Sequence, residues 1–479
     1  MPDETYSPEE FFRLSCIEQN FQEYQSGRKS IYFDEADLED LFYFEMDKGE
    51  EELAREVLQT GRKQHPSSIM FRYLEGVIFD EKGEYETALK IFEAYPDEKD
   101  PEWHSLCFST YCHIPDIEKA KEEATHIIES GGGSDIHYLI YIAKSFFKLQ
   151  EHSQAVTYLK KAAALNPTEK NDLEALGGLA LDLKESHIAY QCAEKILKDE
   201  PYCFEAWFTE ANALLLEQKF EEALDKLEYV LAIYPGHTQA FLEKIRVLII
   251  LNQLSEAERL IAGHKTADRK NGDSVIVALN GILKSYSADI AFLQGEWQKA
   301  NRLYSTVYKD VDLAPIQLCL FAECKMRSRR WKDAERLLKE SIAGDNEIVD
   351  SHEHLAEIYL HQRKYDAAAK EFRQCMVLMP NKIPYRLSYS IALLDGNHTK
   401  SAIKVLQETI EMSPECWEAH SLIAVIMAVQ GKQKEAVVAL KKACTIDPKA
   451  REAFIQTYPQ AEQIIEIMDR EDPKPNKDI

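Results

Sequence analysis

One repeat period, kept by prolines and alanines alike, constrains this chain more than any other feature of its sequence. Pro167, Pro201 and Pro235 are 34 apart, and so are Pro380, Pro414 and Pro448. Ala155, Ala189, Ala223 and Ala257 keep the same step, as do Ala300, Ala334, Ala368, Ala402 and Ala436. Ala54 and Ala88 extend the series backwards, with Ala120 slightly off step. Each of the six prolines lies at one fixed offset, twelve positions after its alanine, and Pro66 stands in the same relation to Ala54. A fixed period of about 20–50 residues marks stacked repeats, in which one small unit cannot bury its apolar face alone and neighbours cover it. The alanines count twelve such units.

Other positions keep the rhythm. Twelve positions before the alanine stand Gly76, Ala143, Gly177, Ala211, Ala288, Ala322, Ala356, Ser390 and Ala424. Small side chains at two fixed places, one in each of two antiparallel helices, let the backbones approach closely. Four positions after the alanine, one turn on along the same face, come Leu58, Phe92, Leu159, Leu227, Ile261, Tyr304, Leu338, Phe372, Leu406 and Leu440. Gly49, Gly83, Gly295 and Gly431, with Asn252 and Asn397, stand five positions before the alanine, where a left-handed cap is needed to reverse the chain. Proline then stops the second helix, having no N–H to donate. Each unit reads as helix, tight turn, helix, stop.

This pattern resembles the tetratricopeptide repeat, which runs to about 34 residues and carries W-x₂-L-G-x₂-Y, then A-x₃-F, then P. The unit from Phe204 has Trp207, Ala211, Ala223, Leu227 and Pro235; the unit from Val349 has Leu355, Ala356, Tyr359, Ala368, Phe372 and Pro380. The resemblance runs from about Glu35 to Pro448 and implies an all-α fold, a superhelical solenoid of antiparallel helix pairs. Residues 1–34 are expected to form a capping helix and lead-in, begun by Ser7-Pro8-Glu9-Glu10, where Ser is the cap and Pro the first helical residue. Seven repeats fill 35–262 and five fill 276–448. Between them the step from Ala257 to Ala300 exceeds the period by nine positions, and the surplus falls in a polar insertion or hinge over 263–275. A further capping helix is expected over 449–470, and a disordered tail over 471–479. The third unit is irregular, with Pro115 at the turn and Gly131-Gly132-Gly133 in place of the closing proline.

Composition narrows the function. A net charge of −26 argues against nucleic acid as a ligand, because phosphate binding needs clustered Lys and Arg. Met1-Pro2-Asp3-Glu4 opens no basic-then-apolar signal, and no stretch approaches the roughly 18 apolar residues of a membrane span. Ten cysteines without a CxxC pair, including Cys192, Cys375 and Cys444 in apolar patterns, read as reduced core thiols. A cytoplasmic protein without membrane insertion is the expectation.

Catalytic patterns are missing from the sequence. His352-Glu353-His354 with His361 does not follow the H-E-x-x-H spacing, and His104, Cys107, Cys112 and His113 match no zinc module. Gly131-Gly132-Gly133 lacks the lysine of a phosphate loop. No enzyme activity, cofactor or metal is expected, and a metal-dependent enzyme built on His352–His361 is the alternative of another class. The resemblance implies instead a scaffold or adaptor that holds a peptide or helix of a partner protein in a concave groove lined by the first helices; a chaperone or an assembly or secretion co-factor is the variant within that class. The positions expected to face such a groove give His137, Ile140, Tyr141, Lys144 and Phe147; Phe208, Asn212 and Leu215; Leu242, Arg246 and Ile249; and Tyr286, Asp289 and Phe292. The Lys–Asn carboxylate clamp of chaperone-type members is not reproduced, since Phe208 stands four positions before Asn212. Glu323, Asp350, Glu353 and Glu357 make the later inner face acidic, which suits a basic partner segment. Oligomeric state is left open.

Overall fold

Reversal of the chain inside each repeat is the local event from which the fold is built. In the computed structural model, which describes residues 7–94, 101–264, 274–458 and 460–471, every first helix ends in the same hydrogen-bonded turn. The N–H of Glu50 donates to the carbonyl of Glu45 at 2.9 Å, that of Lys219 to Leu214 at 3.0 Å, and that of Lys364 to Tyr359 at 2.8 Å. This bond is the Schellman closure, and it requires a residue just inside it to be left-handed. Gly49, Gly83, Gly295 and Gly431 take φ of 73 to 80°, and Asn252 and Asn397 take 58 and 63°. Gln150, Lys184, Gln218, Arg329 and Arg363 adopt the same conformation, with φ of 56 to 62°, although no glycine or asparagine is present to signal it. Pro115 holds the position in the third unit at φ 25°, far from the roughly −65° its ring prefers, and nothing in the structure accounts for it.

A left-handed conformation costs an ordinary L-residue roughly 1–2 kcal/mol. Glycine avoids that cost but loses about 0.5–1 kcal/mol more backbone entropy on folding. Gln218→Gly and Arg363→Gly are therefore each expected to stabilise the chain by about 0.5–1 kcal/mol, read as a rise in the urea midpoint. A fall would show that their side chains contribute more than the backbone loses.

The second helix ends as the prolines dictate. His65, Glu200, Tyr234, Met379, Ser413 and Asp447 each precede a proline and each leave the helix, with φ between −124 and −139° and ψ between 65 and 123°. The proline ring disfavours the α conformation in the residue before it. Twelve helix pairs result, from Glu35–Asp47 with Glu51–Gln64 through to Trp417–Val429 with Gln433–Ile446. Helices Pro8–Gln25, Lys449–Thr457 and Ala461–Glu471 complete the 27 among the described residues, which contain no strand.

All twelve anchor alanines are fully buried. The position twelve before each is also buried in every unit, including the three where it is large: Phe42, Phe108 and Ile245. Small size there is thus a frequent solution rather than a requirement. Four positions after the anchor, Leu159, Leu227, Leu338, Leu406 and Leu440 are completely inaccessible, which is how each pair is plugged against its neighbour.

The chain divides into two compact units, Met1–Val247 and Leu248–Ile479, a division that falls inside helix Thr238–Ile250. In the first unit, Leu14, Ile17 and Phe21 of helix Pro8–Gln25 join Leu38, Leu41, Phe42, Ala54 and Phe71 in one core. That helix begins as its sequence predicts: Glu10 N–H donates to the Ser7 hydroxyl at 3.3 Å, and Ser7 N–H donates to the Glu10 carboxylate at 2.9 Å. A second core runs from Ala88 to Ala213. In the second unit, one core spans Ala288 to Val405 and another joins Ala424, Leu440 and Phe454 to Ile464 and Met468.

Two expectations need correction or limits. The single helix expected over 449–470 is two, Lys449–Thr457 and Ala461–Glu471, because Tyr458, the residue before Pro459 in the sequence, is extended at φ −114°, ψ 115°. Of the insertion over 263–275, residues 265–273 lie outside the described residues, as does the tail from 472; helix Ser274–Leu293 begins directly after the former.

Candidate functional site

The positions expected to bind a partner fall on the first helices, and each unit presents its own set. In the first unit, helix Ile136–Lys148 exposes His137, Tyr141 and Lys144, with Phe147 half-buried beside them. Asp135 caps this helix by accepting the His137 N–H at 2.8 Å, and the His137 ring lies 3.5 Å from Asp172. Tyr141 is 37% exposed while its ring packs edge-on against Phe108 at 5.7 Å. Ile140, by contrast, is buried and does not belong to this face. Phe208, Asn212, Leu215, Leu242 and Arg246 are all half-buried. Phe208 packs on His237 with ring centroids 4.7 Å apart, and Arg246 Nε donates to Glu243 at 2.7 Å. Next to Phe208, Trp207 stacks on Tyr229 at 4.9 Å and has the Lys226 ammonium 4.8 Å from its ring.

The second unit departs further from expectation. Asp289 is only 7% exposed and cannot meet a partner. It accepts hydrogen bonds from the Tyr304 hydroxyl and from Gln317 Nε2, the latter at 2.7 Å; Gln317 Nε2 also reaches the Ser285 hydroxyl at 3.2 Å. Burial pushes the Asp289 carboxyl up to about 6, against the two hydrogen bonds that favour its charge. The sequence carried a signal for this arrangement. Tyr304 fills the plug position four after Ala300, and a phenol so deeply buried needs a hydrogen-bond acceptor. Tyr286 is half-buried, and Phe292, also half-buried, packs edge-on against Trp297 at 5.8 Å. The Arg327 guanidinium lies over the other ring of that pair, Trp297, and its nitrogen reaches Glu323 at 2.6 Å.

Several of the charges on the later first helices are already paired. His354 lies between Glu323 at 3.7 Å and Glu357 at 3.8 Å. Burial works against its protonation, yet the two carboxylates outweigh it and push His354 up to about 9, so it is a cation at neutral pH. Glu353 accepts from the Tyr385 hydroxyl at 3.0 Å. Of the acidic face expected from Glu323, Asp350, Glu353 and Glu357, Asp350 stays exposed, while the other three already face His354 or Tyr385 and are less available to a basic segment.

The histidines of 352–361 diverge instead of converging. His352 pairs with Glu371 at 2.7 Å and with the Asn346 carbonyl at 3.1 Å, His354 faces its two glutamates, and His361 packs against Trp331 with ring centroids 4.8 Å apart and the rings tilted. The set His104, Cys107, Cys112 and His113 separates as well, since His113 stacks on Tyr85 at 4.7 Å. His104 turns instead to Glu123 and His126 of the following helix, a grouping invisible to spacing because the three residues come from two helices. Seven of the ten cysteines are buried, and Cys16 is the exposed one. No helix among the described residues is long and apolar enough to cross a membrane.

Comparison with known proteins agrees with the repeat geometry. Family models described as tetratricopeptide repeat match residues 45–102, 175–238, 321–374 and 390–451, and another of the same description matches 214–275. Tetratricopeptide repeat protein 21B of Homo sapiens is 19% identical over 403 residues, which cover 80% of this chain and 30% of that protein. The chain thus spans less than a third of that relative. Among solved structures, the Cut9-Hcn1 hetero-tetramer of the APC/C is 15% identical with a TM-score of 0.38, covering 90% of this chain and 89% of that one. A tetratricopeptide repeat protein from Parabacteroides merdae is 17% identical with a TM-score of 0.40, covering 54% of this chain and 98% of its own. With twelve Schellman-closed helix pairs on one sequence period and matches of the family models over more than half its length, this chain belongs to the tetratricopeptide repeat family.

Proposed function

We propose that this chain is a non-catalytic scaffold that holds a peptide or helix of another protein against the first-helix faces of its repeats. The observation that carries the reading is the face of helix Ile136–Lys148, where Tyr141 and Phe147 present aromatic surface between exposed His137 and Lys144. Aromatic side chains held by neighbouring rings lose little entropy on binding and dominate interface energy. Phe208, Leu242 and Arg246 extend the same kind of surface along the first unit. In the second unit, Tyr286 and Phe292 offer a comparable pair, from which Asp289 is removed by burial. An assembly or secretion co-factor would use the same faces, and no residue favours that setting over a simple adaptor.

The test is affinity capture by the full chain, with the captured partner identified by mass spectrometry and its affinity then measured. Tyr141→Ala combined with Phe208→Ala is expected to weaken it at least tenfold, with helical content by circular dichroism unchanged. A partner bound equally well by the double variant is held by another surface.

A further inference from the structure

The third repeat contains a cluster of side chains that the scaffold reading does not use. His104 lies on helix Pro101–His113, and Glu123 and His126 lie one turn apart on the antiparallel helix Ile117–Glu129. His104 Nδ1 is 2.8 Å from Glu123 Oε2, and His126 Nδ1 is 3.6 Å from the same oxygen. One donor atom from each of the three falls within 4.8 Å of the other two. They line a cavity of about 280 Å³ together with Phe92, Glu93 and Trp103.

We propose that His104, Glu123 and His126 form a binding site for a single divalent transition-metal ion of the zinc type. Such an ion sits about 2.0–2.2 Å from imidazole nitrogen and carboxylate oxygen, so its tetrahedral ligands stand roughly 3.4 Å apart. The two separations from Glu123 bracket that value, and the two histidine nitrogens, within 4.8 Å of one another, close on it by side-chain rotation. Two imidazoles with one carboxylate are a donor set that suits zinc and its neighbours better than calcium or magnesium, which prefer oxygen alone. The ion takes the place of the hydrogen between His104 Nδ1 and Glu123 Oε2, and His104 binds it as the neutral imidazole that keeps its one N–H at Nε2.

Two further features support the assignment. The site is preorganised: the two helices are joined by the Schellman turn in which Asp116 N–H donates to the Tyr111 carbonyl at 3.1 Å, and Ala120, Ala124 and Ile127 lock the second helix into the core. Its field favours a cation, since Glu93, Glu122 and Glu123 line the cavity against a single lysine, Lys119, which Glu93 already holds at 3.2 Å. Cys107, also in the wall, does not belong to the group whose donor atoms lie within 4.8 Å of one another. Three protein ligands leave the fourth coordination position to a water in the cavity.

The experiment uses the full chain, freed of metal by a chelator and titrated with Zn²⁺ alone by calorimetry at pH 7.5. One saturable site is expected. Glu123→Gln and His126→Ala, the latter at a half-exposed side chain, should each weaken it at least tenfold while leaving the helical spectrum intact. His113→Ala, at the exposed histidine stacked on Tyr85, should bind as the wild type does. The proposal is overturned if the wild type shows no saturable site, if either Glu123→Gln or His126→Ala keeps wild-type affinity, or if His113→Ala loses as much as they do.

Discussion

Replacing Gly76 by alanine should destabilise the first unit by about 1–3 kcal/mol, against the usual benefit of that substitution in a helix. Within helix Met70–Glu81, alanine would gain about 1 kcal/mol over glycine from propensity alone. The added Cβ, however, would lie 2.1 Å from Cε1 and 2.4 Å from Cζ of Phe92. Phe92 is 1% exposed and packed edge-on against Trp103 at 5.6 Å, so its ring cannot swing out without opening the core from Ala88 onward. Displacing a buried ring costs more than propensity returns. The urea midpoint of Gly76→Ala should therefore fall, and Gly61→Ala, where the new Cβ would lie 2.1 Å from the inaccessible Phe71 ring, should behave alike. A rise in either midpoint would mean that the pair can separate freely, and the close approach would lose its structural importance.

The second large effect concerns pH. Asp289 has its carboxyl raised from 3.8 to about 6 by burial, so between those values the folded chain binds a proton that the unfolded chain has released. Stability rises with pH only where the unfolded state holds more protons; here the sign is reversed. The contribution of Asp289 is most favourable below pH 4, declines as pH rises through 4 to 6, and stays at its lower level above. A difference of about two pH units corresponds to about 3 kcal/mol. Asp289→Asn removes the titration. The gap between wild-type and variant unfolding free energies should widen at the wild type's expense by roughly that amount between pH 4 and pH 7. Parallel curves would show that Tyr304 and Gln317 compensate the buried charge fully.

Much of the fold was legible in the sequence because its physical causes are local and repeated. An alanine once per repeat marks where two helices touch, and a proline at a fixed place after it forces its predecessor out of the helix, whatever surrounds it. Glycine and asparagine five positions before the anchor alanine reveal a left-handed turn, but Gln150, Lys184, Gln218, Arg329 and Arg363 adopt it silently, since closure of the helix pair enforces the conformation that these residues would not choose alone. The same limit governs the surface. Spacing placed Tyr141, Lys144 and Phe208 on accessible faces, yet it placed Asp289 there too, because the period marks Tyr304 as a buried phenol in need of an acceptor but not which residue of the neighbouring helix supplies it. Glu323 and Glu357 read as free charge until His354 is found between them. His104 has no partner visible in the sequence, because Glu123 and His126 lie across a helix reversal. The sequence by itself determined the repeat, its turns and its stops, each set by steric and hydrogen-bonding rules acting within a few residues. Tertiary structure alone decided which polar groups meet, because burial and charge pairing depend on distances between helices that no single period records.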